Sequence, residues 1–299
     1  MDIIHEILQQ TVNGLALGSI YALIALGYTM IYGIAKLINF AHGDVLMLGA
    51  FAGFFILTAF GITSVGLIFA FIVSMVICAG FGVLIERLCY KPLRNAPRIN
   101  VLITAIGVSF FLENGARVFP WIGPNPKQFP TLPVVNYNVS NVNISLVNIL
   151  VVVISIVLML VLNYIVTYTK RGKAMRAVSY DQGAASLMGV NVNGIISFTF
   201  ALGAALAAAA GILFALAYPQ VEPYMGIMPG LKAFIAAVLG GIGSIPGAML
   251  GGYIMGLAET YTKGFISSQL ADAIAFGILI LILVIKPSGI LGKDASEKV

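Results

Sequence analysis

Nine apolar runs decide what this chain can become: residues 7 to 31, 41 to 60, 63 to 85, 99 to 118, 145 to 168, 194 to 217, 231 to 243, 247 to 262 and 266 to 286. Most hold about 20 residues, the length that an ~30 Å hydrocarbon core demands of a helix. Because 60% of the chain is hydrophobic and only 9% charged, nothing is left over for a soluble domain. The expected fold is all-α and polytopic, with about 8–9 transmembrane helices, one or two of them broken or re-entrant, in a single membrane domain over 1–299. The opening MDIIHEILQQ is acidic and lacks the positive n-region of a secretory signal, so the first run is expected to remain as a span.

One run is short. Thirteen residues from 231 to 243 rise only about 20 Å as a helix, which suits a half-helix or part of a broken pair. The break is Gly240 to Gly247, GGIGSIPG, where glycines and Pro246 remove helix propensity and one backbone donor. At membrane depth such backbone is tolerated only beside protein or a water-filled cavity, which makes Gly240, Gly241, Gly243, Pro246 and Gly247 pathway candidates. The other reading is a tight turn at the surface.

Charge gives an orientation. Loop 86 to 98 carries Arg87, Lys91, Arg94 and Arg98 against Glu86, and loop 169 to 182 carries Lys170, Arg171, Lys173 and Arg176 against Asp181. Positive charge accumulates on cytoplasmic loops, so both are expected inside, with the Pro- and Asn-rich loop 119 to 144 outside. Counting backwards puts the N-terminus, with Asp2 and Glu6, outside; counting forwards puts the C-terminal tail, with Lys286, Lys293 and Lys298, in the cytoplasm. The net charge of +5 is then a topology signal, not a nucleic-acid footprint. Cys78 and Cys89 frame neither a disulfide scaffold nor a metal site and read as small residues in or beside a helix.

Small residues recur at every fourth position: Gly14 and Gly18, Gly49 and Gly53, Gly203, Ala207 and Gly211, Gly247 and Gly251, Gly252 and Gly256. Such faces let helix backbones approach in lipid and predict a tightly packed bundle, or a face that meets a partner membrane subunit or lines a substrate route. Between the first two spans lie Asn39, His42 and Asp44. At depth they are gate or relay candidates; at the boundary they cap a helix, with Asp44 favoured by the dipole. Glu113 and Arg117 are spaced for an i, i+4 pair. Lys232, Glu259 and Asp272 lie near span ends and are expected to snorkel. No phosphate-binding loop, HExxH, Cys-x-x-Cys or Gly-x-Ser-x-Gly is present, so no catalytic residue or cofactor is expected, and energy from ATP would have to be held by another polypeptide.

The stretch from Lys170 to Val190 is helix-like, basic and unsuited to lipid. Its small-residue face and terminal Gly189 suit insertion into a groove of another protein, the alternative being a basic helix resting on anionic headgroups.

At Asp181-Gln-Gly-Ala-Ala-Ser-Leu-Met-Gly189 the chain resembles the permease subunits of ABC importers, whose cytoplasmic loop docks as a coupling helix into an ATPase. The INFAHGD of Ile38 to Asp44, the block from Pro223 to Gly252 and the KPSGILG of Lys286 to Gly292 are similar to the high-affinity branched-chain amino-acid permeases. The resemblance runs nearly end to end. It implies an inner-membrane subunit that carries leucine, isoleucine or valine and works with a second homologous permease, two ATP-binding subunits and an extracytoplasmic amino-acid-binding protein. It also implies that the loop at about 169–193 contacts the ATPase through Arg171, Arg176, Asp181, Ala184, Ala185 and Gly189. Gln182 and Gly183 depart from the usual motif, in which an early acidic residue and bulkier neighbours are common. Two rival readings are a permease for urea or short amides and an ion-coupled secondary transporter that uses His42, Asp44 or Glu113.

Overall fold

A computed structural model describes residues 3–94, 96–133, 135–139 and 142–292. Asp2, Lys293, Lys298 and the side chain of Arg98, which enter the charge count above, lie outside the description. Each of the nine apolar runs is a helix: α1 (Ile3–Ala35), α2 (His42–Phe60), α3 (Ser64–Ile85), α4 (Arg98–Val118) and α5 (Leu146–Tyr168), then α8 (Val192–Ala217), α9 (Ile227–Gly240), α10 (Ile245–Phe265) and α11 (Leu270–Ile285). Between α5 and α8 stand two short polar helices, α6 (Lys170–Tyr180) and α7 (Gln182–Leu187). Six of the long helices are apolar enough to cross a membrane, and α9 and α11 are shorter apolar helices.

The first span is the axis of the bundle. In its most apolar 18-residue window 94% of residues are buried, against 22% in α4 and in α5. Leu23, Ile24, Ala25 and Leu26 in its centre have no exposed surface. It can be covered on every side because it meets α10 with almost no side chain between the backbones. A Cβ added to Gly18 would lie 2.9 Å from Tyr253 Cα, and one added to Gly252 would lie 2.5 Å from Ala22 Cα. The same device sets α2 on α8, where Gly49 faces Ala208 and Gly211 faces the Leu46 carbonyl, and α3 on α8, where Gly82 faces Ala204. The fourfold small-residue spacings are thus filled from within the chain, where dispersion and close backbone contact supply the attraction that lipid does not.

The connections divide between two ends. At one end lie the start of α1 and two short antiparallel ladders, β1 (Lys127–Gln128) with β4 (Gln220–Val221) and β2 (Asn136–Val139) with β3 (Val142–Ser145). Gln9 on α1 exchanges hydrogen bonds with the Asn143 backbone and so ties α1 to that second ladder. At the other end lie α6, α7, the α9–α10 turn and residues 286–292. The segment read as a loop from 86 to 98 begins as helix: a π-helical turn at Glu86–Tyr90 and a 3-10 turn at Lys91–Leu93 prolong α3. Glu86 in this turn is wholly buried; Arg94 pairs with it and the Ser197 hydroxyl donates to it at 2.6 Å.

Lys232, Glu259 and Asp272 do not snorkel. Lys232 Nζ lies 2.8 Å from Glu259 Oε1 and 2.7 Å from Asp272 Oδ1, and Lys263 Nζ reaches the same Glu259 oxygen at 2.6 Å. Tyr21 donates its hydroxyl to Glu259 Oε2 at 2.7 Å. Since Lys232 and Glu259 are almost fully buried, each charge is tolerable only through the others, and the cluster locks α1, α9, α10 and α11 together.

Two outcomes follow for stability. Gly252→Leu is expected to cost about 3 kcal/mol or more by forcing α1 from α10, whereas Gly80→Ala, with open space around it, stays within about 0.5 kcal/mol; thermal unfolding in detergent reads both. Lys232→Met should cost about 3–5 kcal/mol, and adding Glu259→Gln should restore part of it, because the charges then left, on Lys263 and Asp272, are the half-exposed ones.

Candidate functional site

The α6–α7 protrusion is built from short-range rules. Asp181 is the N-cap of α7, its Oδ1 accepting from Ala184 N at 2.9 Å. The helix closes in a Schellman pattern: Gly189 takes φ +80°, its N–H bonds Ser186 O, and the Val190 N–H bonds Ala185 O, both at 3.0 Å. Ala185 faces inward and is buried, while Ala184 is exposed. The helix pair also offers apolar surface, with Tyr180, Leu187 and Met188 exposed by 83%, 90% and 84%.

Its base is braced on three spans. Arg176 donates to the Thr167 carbonyl at 3.0 Å and to the Val166 carbonyl, occupying the free end of α5. The Arg171 guanidinium stacks over Phe198 of α8 at 4.8 Å. Gln182, the residue that departs from the usual motif, reaches the Ile34 carbonyl at the end of α1 at 3.4 Å. Two of the loop's basic residues, Arg171 and Arg176, therefore bind the bundle, while Lys173, Gly183, Ala184, Ser186, Leu187 and Met188 are exposed.

The polar turn between α1 and α2 lies against the bundle's interior. Lys36 takes φ +57° and ends α1; the chain then doubles back so that His42 starts α2 beside Gly27, eight residues or about 12 Å before the end of α1. The N-cap of α2 is Ala41, with no side-chain cap, so Asn39, His42 and Asp44 are free to bond elsewhere. Asn39 accepts from the Tyr90 hydroxyl at 2.8 Å, and the His42 ring packs edge-on to Tyr28 with centroids 4.8 Å apart. Asp44 lies in the first turn of α2 and accepts from the Ser109 hydroxyl, which also stands 3.5 Å from Glu113. Glu113 is buried and makes no ion pair with Arg117; Arg117 instead donates to the Tyr224 hydroxyl at 2.7 Å and covers that ring. A long-range aromatic partner has displaced the helical i, i+4 pair. Gly43 in the same turn abuts Gly226 and Gly230, so the starts of α2 and α9 meet backbone to backbone.

The Gly240 to Gly247 segment is a close helix-to-helix turn. Gly241 and Gly243 take φ +103° and +100°, Gly240 and Gly247 touch through their backbones, and Pro246 sits in the first turn of α10, where it costs no hydrogen bond. The C-terminal stretch folds over the turn, Ile290 and Leu291 donating their N–H groups to the Leu239 and Gly240 carbonyls that end α9, at 2.9 and 3.0 Å. Of these candidates Gly243 borders a cavity of about 190 Å³, shared with Thr29, Gly33 and Arg176. Asn39, His42 and Asp44 do not border it.

A second cavity, of about 330 Å³, lies at the opposite end of α1, between Asn13, Leu17, Asn148, Tyr218 and Lys263. Sequence reading missed it, together with the ion cluster beneath. The one local signal was the i, i+4 spacing of Glu259 and Lys263, since Lys232 and Asp272 come from other helices.

Comparison with known proteins bears on the whole chain. It is 44% identical to the high-affinity branched-chain amino acid transport system permease protein LivH of Escherichia coli (strain K12), over 98% of this chain and 97% of that one. It is 45% identical to the corresponding protein BraD of Pseudomonas aeruginosa, over the full length of both. The ribose import permease protein RbsC of Haemophilus influenzae is 30% identical over only 41% of this chain and 40% of its own. No solved structure matches. Residues 10–283 match the family described as branched-chain amino acid transport system / permease component, and with full-length relatives above 40% identity the chain belongs to that family.

Proposed function

We propose that the chain is the membrane-spanning permease subunit of an ATP-driven ABC importer for branched-chain amino acids, and that the α6–α7 protrusion is where ATP energy enters. A capped, glycine-terminated helix pair follows α5, bonded to three spans and exposing Leu187 and Met188, and this supports the reading. An apolar surface of this kind suits a groove in a soluble partner. The partners of this reading are a second homologous permease, two ATP-binding subunits and an extracytoplasmic amino-acid-binding protein, in the inner membrane.

The orientation in this reading follows from charge. Lys36, Arg87, Lys91, Arg94, Lys170, Arg171, Lys173, Arg176 and Lys286 gather at the end that carries α6 and α7, which is then cytoplasmic together with the C-terminus. The N-terminus and the ladders β1–β4 and β2–β3 face outward.

The mechanism is a lever. Movement of an ATPase groove displaces Leu187 and Met188; Arg176 carries the displacement to α5, Gln182 to α1 and Arg171 to α8. Because each brace ends on a helix terminus or a ring, the inner ends of three spans move together, a rigid-body rocking that opens one side as it closes the other. The Asp44–Ser109–Glu113 contacts and the Gly43–Gly226 approach lie where α2, α4 and α9 would slide past one another, and they are the gate candidates of this reading. Selectivity is left largely to the binding protein.

In the reconstituted complex, Leu187→Glu with Met188→Glu should leave the subunit folded but weaken its hold on the ATPases by about 2 kcal/mol or more, roughly 30-fold, as buried apolar anchors do. Co-purification of the ATPases and leucine uptake should fall together. Arg176→Ala should act differently, with the ATPases still bound and more ATP hydrolysed per leucine imported. Wild-type coupling in both variants would rule out docking at this surface.

A further inference from the structure

The cavity beside the outer half of α1 has the chemistry of its cargo. Its floor is Ala16, Leu17 and Ile20, an apolar surface from one face of α1. Its polar lining is Gln10 and Asn13 on α1, Asn148 on α5, Tyr218 at the end of α8, and Thr260 and Lys263 on α10. At about 330 Å³ it falls at the low end of the range of small-molecule sites, about 300–1,000 Å³.

These polar groups have capacity to spare. Asn148 Nδ2 donates to Asn13 Oδ1 at 3.3 Å, which leaves the Asn148 carbonyl oxygen as an acceptor. Lys263 spends one ammonium hydrogen on Glu259 at 2.6 Å and is 41% exposed at its side chain. Glu259 is already paired with Lys232 and bonded by Tyr21, so it only partly cancels the Lys263 charge. The lining thus offers one shared cation and several neutral polar groups, the Asn148 carbonyl oxygen among them, above an apolar floor.

We propose that this cavity is a transit site for a free apolar α-amino acid: carboxylate at Lys263, ammonium at Asn148 Oδ1, branched side chain on Ala16, Leu17 and Ile20. The assignment of the cargo class rests on the function proposed above; the site itself rests on the cavity. Only one charge meets the zwitterion, and it is shared, so binding is weak and release easy, as transit demands. The inner cavity at Thr29, Gly33 and Gly243 is also bounded by α1, α5 and α10, through Val166 and Ile245. Between Ile20 and Thr29 the wall is closed by Leu23, Ile24 and Leu26. In this conformation the two cavities are separate.

The test uses the intact complex in proteoliposomes, with Cys78→Ala and Cys89→Ser removing the native thiols and Ala217→Cys as a reporter on the cavity wall. The rate of reaction with a charged, membrane-impermeant thiol reagent is measured with and without L-leucine. Leucine at about twice Kd, expected at millimolar levels, should slow labelling about threefold by mass action; acetate and ethanolamine, each carrying only half the zwitterion, should not slow it. Adding Asn148→Ala or Ala16→Phe should abolish the protection. A reporter that does not react, or reacts equally fast with saturating leucine, overturns the proposal. Uptake of radiolabelled leucine in the same vesicles separates the two readings. Protection without ATP-driven uptake keeps the site and refutes the importer, while uptake without protection does the reverse.

Discussion

The architecture depends on one contact: α1 and α10 lie against each other through glycine, from Gly14 and Gly18 on one side to Gly252 and Gly256 on the other. In lipid, an apolar side chain gains little by leaving hydrocarbon for protein, so helices associate where their surfaces fit most closely. Removing side chains from the seam brings two backbones together and leaves the remaining faces of α1 open to α2, α5, α8 and α9. These helices pack directly on α1, while α3 packs on α2 and α8, α4 on α2 and the Glu86–Tyr90 turn, and α11 on α9 and α10. The ion cluster at Lys232 and Glu259 belongs to the same arrangement, since it becomes possible only once α9, α10 and α11 have excluded solvent and lipid beside Tyr21.

The fold was legible because the hydrocarbon core imposes a length that sequence displays directly. The nine runs needed only an apolar stretch of the right size, and each is a helix. The short run at 231 to 243 was legible as a short helix for the same reason, although composition alone left a re-entrant break and a surface turn equally open. The backbone angles at Gly241 and Gly243 show a close turn between two helices. Charged pairs were less legible. Helical spacing suggested Glu113 with Arg117, but an aromatic hydroxyl 107 residues away supplies Arg117 with both a hydrogen bond and a ring face. Snorkelling assumes that a span end is free to face water. Lys232 and Glu259 lie instead inside the packed corner of α1, α9, α10 and α11, and nothing local to either residue records the other helices.

The site showed the same division. Asp181 and Gly189 could be read from capping rules, which act over three or four residues. Arg171, Arg176 and Gln182 were visible as polar residues of an exposed loop, but their partners on α8, α5 and α1 were not. The Arg176 guanidinium occupies the carbonyl end of α5, and Tyr180, Leu187 and Met188 are exposed on the same helix pair. The outer cavity was invisible for a related reason, because Asn13, Asn148 and Lys263 are far apart in the chain and unremarkable singly.

The α1–α10 seam also sets the order in which the protein can be made. The hydroxyls of Ser19 and Tyr253 stand 3.3 Å apart across it, yet 234 residues separate them in the chain. At ~5–20 residues per second of synthesis, α1 enters the membrane about 10 to 50 s before its partner exists. Through that interval its glycine face and the Tyr21 hydroxyl, whose acceptor is Glu259, must be shielded by something other than their native neighbours. The helix at the centre of the finished bundle is thus the one left exposed longest during biogenesis, and insertion machinery that retains the first span until the tenth helix arrives would act on the seam that holds the permease together.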